Sequence, residues 1–110
     1  MARLKTELWV KAQIRRCDIE MIPAVVARRG DPDGGAVYLR LDRHAAGCVL
    51  LSRTYGPDGE RIWHGPLGDA PLEPARVDAY LEKQASFDPD FWVLEVDDPD
   101  GRYEPEDAGI

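Results

Sequence analysis

The tripeptide Pro-Asp-Gly occurs three times, at residues 32–34, 57–59 and 99–101. Proline presets its own φ, aspartate hydrogen-bonds to nearby backbone, and glycine accepts a positive φ, so each copy is typical of a tight turn. The segments beside these turns are short and rich in β-branched and aromatic residues. A chain that reverses at such intervals is expected to form short strands that pair mostly as antiparallel neighbours.

Five segments have the composition of strands. Residues 36–41, "AVYLRL", alternate apolar and polar side chains, which is typical of a strand with one buried face. The segment 91–96, "FWVLEV", is apolar on both faces, which predicts a strand in the interior of the sheet. The other three predicted strands are 24–29, 47–55 and 60–64.

Two helices complete the predicted elements. The first begins at Thr6 or earlier and runs through "ELWVKAQIRRCDIEMI" until Pro23 ends it. The second begins at Pro74 and ends at "FDPD", because a residue that precedes proline is disfavoured in a helix. Two apolar strips run along the first helix at helical spacing. One strip contains Val10, Ile14, Cys17 and Met21, and the other contains Leu4, Leu8, Ala12 and Ile19.

The order α-β-β-β-β-α-β predicts an α+β fold, in which two helices pack on one face of a small, mostly antiparallel sheet. The chain has 110 residues, 44% of them apolar, which suits one domain with its own core. We expect that domain to span residues 1–98. Residues 99–110 are acidic and contain two prolines, which favours a loosely held tail.

Charge is distributed unevenly. The net charge is −7, yet residues 1–29 carry seven bases against three acids, and residues 67–110 carry three bases against thirteen acids. An acidic protein repels nucleic-acid backbones, so nucleic-acid binding is disfavoured. No segment has the length and apolarity of a membrane span or a secretory signal, so we expect a cytoplasmic protein. We predict that Cys17 and Cys48 are buried free thiols, with one disulfide between them as the alternative.

Motifs with defined chemistry are missing from the chain. Asp31 and Asp33 begin a calcium-loop pattern, but Gly35 stands where a third ligand belongs. No glycine-rich phosphate motif is present, and His44 and His64 have no metal-ligand spacing. The serines lie outside any nucleophile motif. The sequence therefore predicts no catalytic residue, metal or cofactor.

One candidate ligand site lies on the outer side of the predicted sheet. It comprises Tyr38, Arg40, Arg53, Arg61, Trp63 and His64. If the hairpin register places the arginines on one face, they form a patch for an anionic or planar ligand. A slip of one residue would separate them. The alternative is that these arginines pair with the many acidic side chains of the surface.

A second candidate is the segment "FDPDFWVLEV". Asp88, Asp90 and Phe91 are predicted to form an acidic and aromatic interaction surface. The alternative places Phe87, Trp92, Leu94 and Val96 in the core, with Asp88 as a local cap. Glu95 lies among apolar residues and, if buried, needs a cation. We predict a structural ion pair between Glu95 and Arg15 or Arg16.

Three blocks of the chain carry a resemblance to a known family. They are "LWVKAQIRR", "MIPAVVARRGDPDGGAV" and "FDPDFWVLEVDD", which occur in that order. Together they resemble the bacterial domain of unknown function 1491, over roughly Leu4 to Asp98. Met21 stands where that family leads us to expect glycine. The resemblance implies a small bacterial cytosolic protein and assigns no catalytic residue.

These features favour a noncatalytic binding or protein-interaction module. A protein partner, a second copy of the chain, or an anionic small ligand fits this interpretation. The alternative is a small-molecule or nucleotide-handling enzyme that uses the arginine and aromatic side chains, with His64 as acid or base.

Overall fold

The computed structural model describes residues 4–106. Two helices and five strands follow the predicted order, so the α+β fold class is confirmed. The helices are α1 (Thr6–Ile19) and α2 (Pro74–Phe87), and a 3-10 turn covers His44–Ala46. The strands are β1 (Ala24–Arg28), β2 (Val37–Asp42), β3 (Cys48–Tyr55), β4 (Arg61–His64) and β5 (Trp92–Asp97).

The strands form one mixed sheet in the order β1-β5-β2-β3-β4. β5 lies between β1 and β2 and is parallel to β2, whereas the other three pairings are antiparallel. α2 belongs to the connection that brings β5 beside β2 in the parallel direction, because parallel neighbours require a crossover connection. The central position of β5 agrees with its apolar sequence, and the sheet is mostly antiparallel as predicted.

The two helices cover opposite faces of the sheet, which corrects the expectation of a single covered face. Trp9 and Val10 of α1 join the core cluster that contains Leu39 of β2. Val77 of α2 joins the cluster that contains Leu50 of β3. Consecutive strand residues point to opposite faces, and β3 carries apolar residues in both directions. Each face of the sheet therefore carries apolar side chains, and a separate helix buries those of each face.

The burial of α1 differs in part from the predicted strips. Its buried residues are Thr6, Trp9, Val10, Gln13 and Cys17. Met21, in the strip of Val10, Ile14 and Cys17, is 86% exposed, because α1 ends at Ile19 and Met21 adopts a positive φ of 60°. Leu8 and Ile19 of the second strip are also exposed. The sequence did not predict the burial of Trp9 and Gln13.

The segment after β5 is packed against α1. Tyr103 belongs to the core cluster of α1, and its hydroxyl donates a 2.8 Å hydrogen bond to Gln13 Oε1. Arg16 donates hydrogen bonds to Glu104 O and to Glu106 Oε1. The domain therefore continues past residue 98, where a loosely held tail was predicted to begin. Residues 107–110 of that tail lie outside the described part of the chain.

Both cysteines are buried and free, as predicted. Burial raises the pKa of the Cys17 and Cys48 thiols, which disfavours the reactive thiolate. Within residues 4–106, neither helix has the length and apolarity that crossing a bilayer requires.

Candidate functional site

The loop between β1 and β2 is held against the start of β5. A Cβ on Gly30 or Gly35 would lie 2.3 or 2.4 Å from Asp90 O, so only glycine permits this approach. Asp31 N donates to Asp90 O at 2.9 Å, and Trp92 Nε1 donates to Asp31 O at 2.8 Å. The loop is a tight bend, and its backbone position is fixed by β5.

This loop forms one wall of a small cavity of about 250 Å³. The starts of α1, β2 and β4 and the second half of β3 supply the other walls. Thr6 Oγ1 donates to Gly35 O at 3.1 Å and so ties the helix to the loop. The cavity is lined by Thr6, Gly34, Gly35, Ala36, Val37, Tyr38, Ser52, Arg53 and Arg61. The described lining therefore includes two arginines and no acidic side chain.

The β3–β4 register places the two arginines on one face of the sheet. Arg53 lies opposite Trp63, and Tyr55 lies opposite Arg61. Each guanidinium packs over the ring of its cross-strand partner, at 5.0 Å for Arg53 on Trp63 and 5.7 Å for Arg61 on Tyr55. Arg53 and Arg61 are then diagonal neighbours, and the backbone positions of such neighbours lie about 7–8 Å apart. One anion can lie within reach of both.

The Arg53 guanidinium is supported by the core beneath it. The ring of Trp63 stacks on the ring of Trp9, with centroids 5.5 Å apart and planes inclined by 28°. Trp9 is fully buried among the residues of α1 and the sheet. Arg53, Trp63 and Trp9 therefore form a column that joins the cavity to the core.

Arg61 has an unused hydrogen-bond donor. Its Nε is buried and makes no hydrogen bond within residues 4–106. A buried N–H group without an acceptor is costly, and such groups are rare in native proteins. An anion bound in the cavity would supply an acceptor for it.

Arg40 lies apart from this cavity, on the face of the sheet that α2 covers. Its side chain is 11% exposed, and its Nε donates to Asp78 Oδ1 of α2 at 3.0 Å. Its Nη1 lies 3.4 Å from Glu95 Oε1. Arg40 thus connects α2 to the sheet and does not join Arg53 and Arg61.

The same contacts correct the predicted partner of Glu95. Glu95 pairs with Arg40, its neighbour in the parallel β2–β5 register. α1 lies on the other face, where Arg16 pairs with Glu20 and Glu106. The predicted ion pair of Glu95 with Arg15 or Arg16 is therefore wrong.

Tyr38 and His64 reach the cavity in different ways. Tyr38 lines it, with its ring 5.0 Å from that of Phe91, and burial raises the pKa of the Tyr38 hydroxyl. His64 Nε2 lies 3.1 Å from the Oγ of Ser52, another lining residue, and the β3–β4 register points both side chains to the face opposite to Arg53 and Arg61. Of the six predicted residues, three line the cavity, Trp63 and His64 contact lining residues, and Arg40 lies elsewhere.

Sequence reasoning missed Thr6, Ser52 and the pair Gly34-Gly35 as lining residues. The glycine pair was interpreted only as part of a bend. Its position beside the arginines comes from the contact of the loop with Asp90, which no local pattern encodes.

The predicted interaction surface at Asp88, Asp90 and Phe91 is not formed as expected. Phe91 is 2% exposed, and the Arg28 guanidinium lies over its ring. The guanidinium carbon is 4.7 Å from the centre of the Phe91 ring. Asp88 Oδ1 accepts a 3.0 Å hydrogen bond from Asp90 N, which is a local turn contact. Phe87, which the alternative placed in the core, is 74% exposed, whereas Trp92, Leu94 and Val96 are buried.

Asp42, His44 and Asp97 form a separate group at the carboxyl ends of β2 and β5. Each offers one potential metal-ligand atom, and these atoms lie within 4.8 Å of one another. His44 Nε2 contacts Asp97 Oδ1, and that hydrogen bond raises the pKa of the histidine. Carboxylate and imidazole ligands suit several divalent metals. In the structure the histidine and Asp97 bind each other as a surface pair.

Fold and site together define a one-domain α+β protein with a mixed five-stranded sheet and a cationic cavity at one end. The model of a family described as protein of unknown function (DUF1491) matches residues 4–104. The chain belongs to this family, as its sequence blocks indicated. No curated protein matches it.

Solved structures of similar chains have the same fold. A crystal structure of a DUF1491 family protein from Caulobacter crescentus CB15 shares 42% identity, with a TM-score of 0.79, over 90% of this chain and 92% of that one. An NMR structure of a DUF1491 family protein from the same organism shares 43% identity, with a TM-score of 0.76, over 93% and 92%. Protein Atu0922 from A. tumefaciens shares 28% identity, with a TM-score of 0.73, over 86% of each chain.

Proposed function

We propose that the protein is a noncatalytic binding module whose cavity at Arg53 and Arg61 holds a small anionic group, a carboxylate or a phosphate. The observation that carries this proposal is that Arg61, whose buried Nε has no acceptor within residues 4–106, lines a cavity together with Arg53. The chain has 21 acidic residues and a net charge of −7, yet none of the described residues that line the cavity is acidic.

The geometry of the cavity supports a small ligand. A volume of about 250 Å³ accommodates a small anion or the charged end of a larger molecule. Guanidinium groups bind carboxylate and phosphate through paired hydrogen bonds. The Trp9–Trp63 stack holds Arg53 in place before binding, so little side-chain entropy is lost when the anion enters.

Arg61→Glu is expected to weaken anion binding roughly 100-fold, because charge-assisted hydrogen bonds are lost and a repulsive carboxylate replaces them. Inorganic phosphate and citrate serve as probes, titrated by calorimetry and by NMR shifts of the Gly34 and Gly35 amides. Arg61→Lys is expected to retain part of the affinity, since it keeps the charge and loses the paired donors.

Arg76→Glu is the matched control, because it makes the same charge change on an exposed position of α2. This variant is expected to bind the probes like the wild type. Equal losses in Arg61→Glu and Arg76→Glu, or unsaturable shifts in the wild type, would contradict a specific anion site.

The contact between Ser52 Oγ and His64 Nε2 favours a second candidate function, an acyl- or phosphoryl-transferring enzyme. In that case His64 would take the Ser52 proton. The β3–β4 register places Ser52 and His64 on the face that α2 covers, opposite to Arg53 and Arg61, so the two arginines would take no part in this reaction. Among the described residues, no carboxylate hydrogen-bonds His64 to orient it, which favours the binding module. We expect chromogenic acyl and phosphate esters to be hydrolysed no faster than in buffer. Turnover that both Ser52→Ala and His64→Ala remove would instead support the enzyme.

A further inference from the structure

β1 is an edge strand, with β5 on one side only. Asp97 N donates to Pro23 O at 2.8 Å, so Pro23 and Asp97 are a hydrogen-bonded pair. The next pair of the ladder, Ala24 and Val96, therefore has no mutual hydrogen bonds. By the alternation of an antiparallel ladder, Val25 then exchanges hydrogen bonds with Glu95. Ala24 and Val26 direct their N–H and C=O groups away from the sheet. An irregularity in the register follows Val26 and limits this edge to a few residues.

Apolar side chains flank the free edge. Val25 is 59% exposed on the face that α2 partly covers, and Val26 is also exposed, on the face of α1. Ile19 and Met21, at the end of α1, are more exposed still. A groove of about 690 Å³ runs between α1 and the beginning of β1. Edge strands usually carry lysine or proline against pairing, and residues 24–27 contain neither.

We propose that a second copy of this chain covers the surface, with the two β1 strands antiparallel about a two-fold axis at Val25. In that arrangement Val25 faces its own copy, and Ala24 pairs with Val26 of the partner subunit. This pairing satisfies the outward backbone groups of both copies and buries the valines.

Charge distribution favours a second copy in the antiparallel sense. Asp18 and Glu20 lie just before β1, where Glu20 also contacts Arg16, and Arg28 and Arg29 lie at its end, where Arg29 also contacts Glu7. Antiparallel pairing brings the acidic start of one strand beside the basic end of the other, at both ends of the interface. A parallel pairing would place like charges together. The surface is distinct from the cavity residues, so this inference stands independently of the proposed function.

The test is the mass in solution as a function of protein concentration. For the wild type, sedimentation equilibrium is expected to show a mass that rises from 12.3 kDa toward twice that value. Val25→Lys is expected to remain at the lower mass at every concentration, because two lysines would face each other at the axis. Val25→Thr, the matched control, keeps a β-branched side chain and is expected to dimerise with at most a several-fold loss of affinity.

Hydrogen exchange identifies the strand directly. Protection of the Ala24 and Val26 amides is expected to rise with concentration in the wild type, whereas the Val25 amide is protected by β5 throughout. A wild type that stays monomeric at millimolar concentration overturns the proposal. A dimer that persists in a folded Val25→Lys variant, or one that leaves Ala24 and Val26 unprotected, also overturns it.

Discussion

Replacing Trp9 by alanine is expected to lower the free energy of unfolding by about 3–5 kcal/mol, the usual cost of deleting a large buried aromatic side chain. Trp9 is 1% exposed and lies between α1 and the sheet, where its ring stacks on Trp63. The change would leave a cavity and remove the support beneath Trp63. Because Trp63 carries the Arg53 guanidinium, anion affinity is expected to fall as well.

Urea unfolding monitored by circular dichroism measures the stability, and phosphate titration measures the affinity. Trp9→Phe is the matched control. It keeps a ring in the stack and removes Nε1, which is buried without a hydrogen-bond partner in the described part of the chain. We expect it to retain most of the stability. A loss below about 1 kcal/mol for Trp9→Ala would show that the stack is not a core element.

Replacing Asp98 by alanine is expected to cost about 3 kcal/mol, because the change removes the charged partner of Arg43 and the acceptor of two backbone donors. Asp98 is 2% exposed. Its Oδ2 accepts from Arg43 Nη1 at 2.9 Å and from Tyr103 N at 2.8 Å, and its Oδ1 accepts from Arg102 N at 2.8 Å. These bonds hold the segment that places Tyr103 on α1.

The contribution of Asp98 depends on pH in a defined direction. Burial favours the neutral carboxyl, but the N–H groups of Tyr103 and Arg102 and the charge of Arg43 together hold the pKa of Asp98 below its usual value. A lowered folded-state pKa means that the stabilisation is complete above the unfolded-state value, near pH 4. It is lost as pH falls toward the folded-state value.

Thermal unfolding between pH 2 and pH 7 checks this dependence. The wild type is expected to lose more stability below pH 4 than Asp98→Asn, whose amide does not titrate. Asp98→Asn also keeps one acceptor oxygen, so it is expected to be more stable than Asp98→Ala at pH 7. Parallel pH profiles for the wild type and Asp98→Asn would contradict the role of the Asp98 charge.

Local patterns gave the elements and their order correctly. The Pro-Asp-Gly turns, the helix start at Pro74 and the alternation of residues 36–41 depend on backbone torsion and strand geometry over a few residues. Their effects are therefore readable in a short window of sequence. The central position of β5 was also readable, since only an interior strand hides apolar residues on both faces.

The candidate site depended on contacts between distant residues. Arg53 and Arg61 share a face because of the β3–β4 register, which the sequence left open between two alternatives. Arg40 was grouped with them by its position on a neighbouring strand. Its place in the β2–β5 register gave it Glu95 as a partner and removed it from the site.

The turns, the element order and the burial of β5 followed from the sequence alone, because torsional preferences and hydrophobic periodicity are local properties of the chain. The placement of the helices on opposite faces, the docking of Tyr103 on α1 and the assembly of the cavity were decided only by the tertiary structure. Each of them joins segments that are far apart in the chain, and strand register and burial, not local preference, determine which side chains meet.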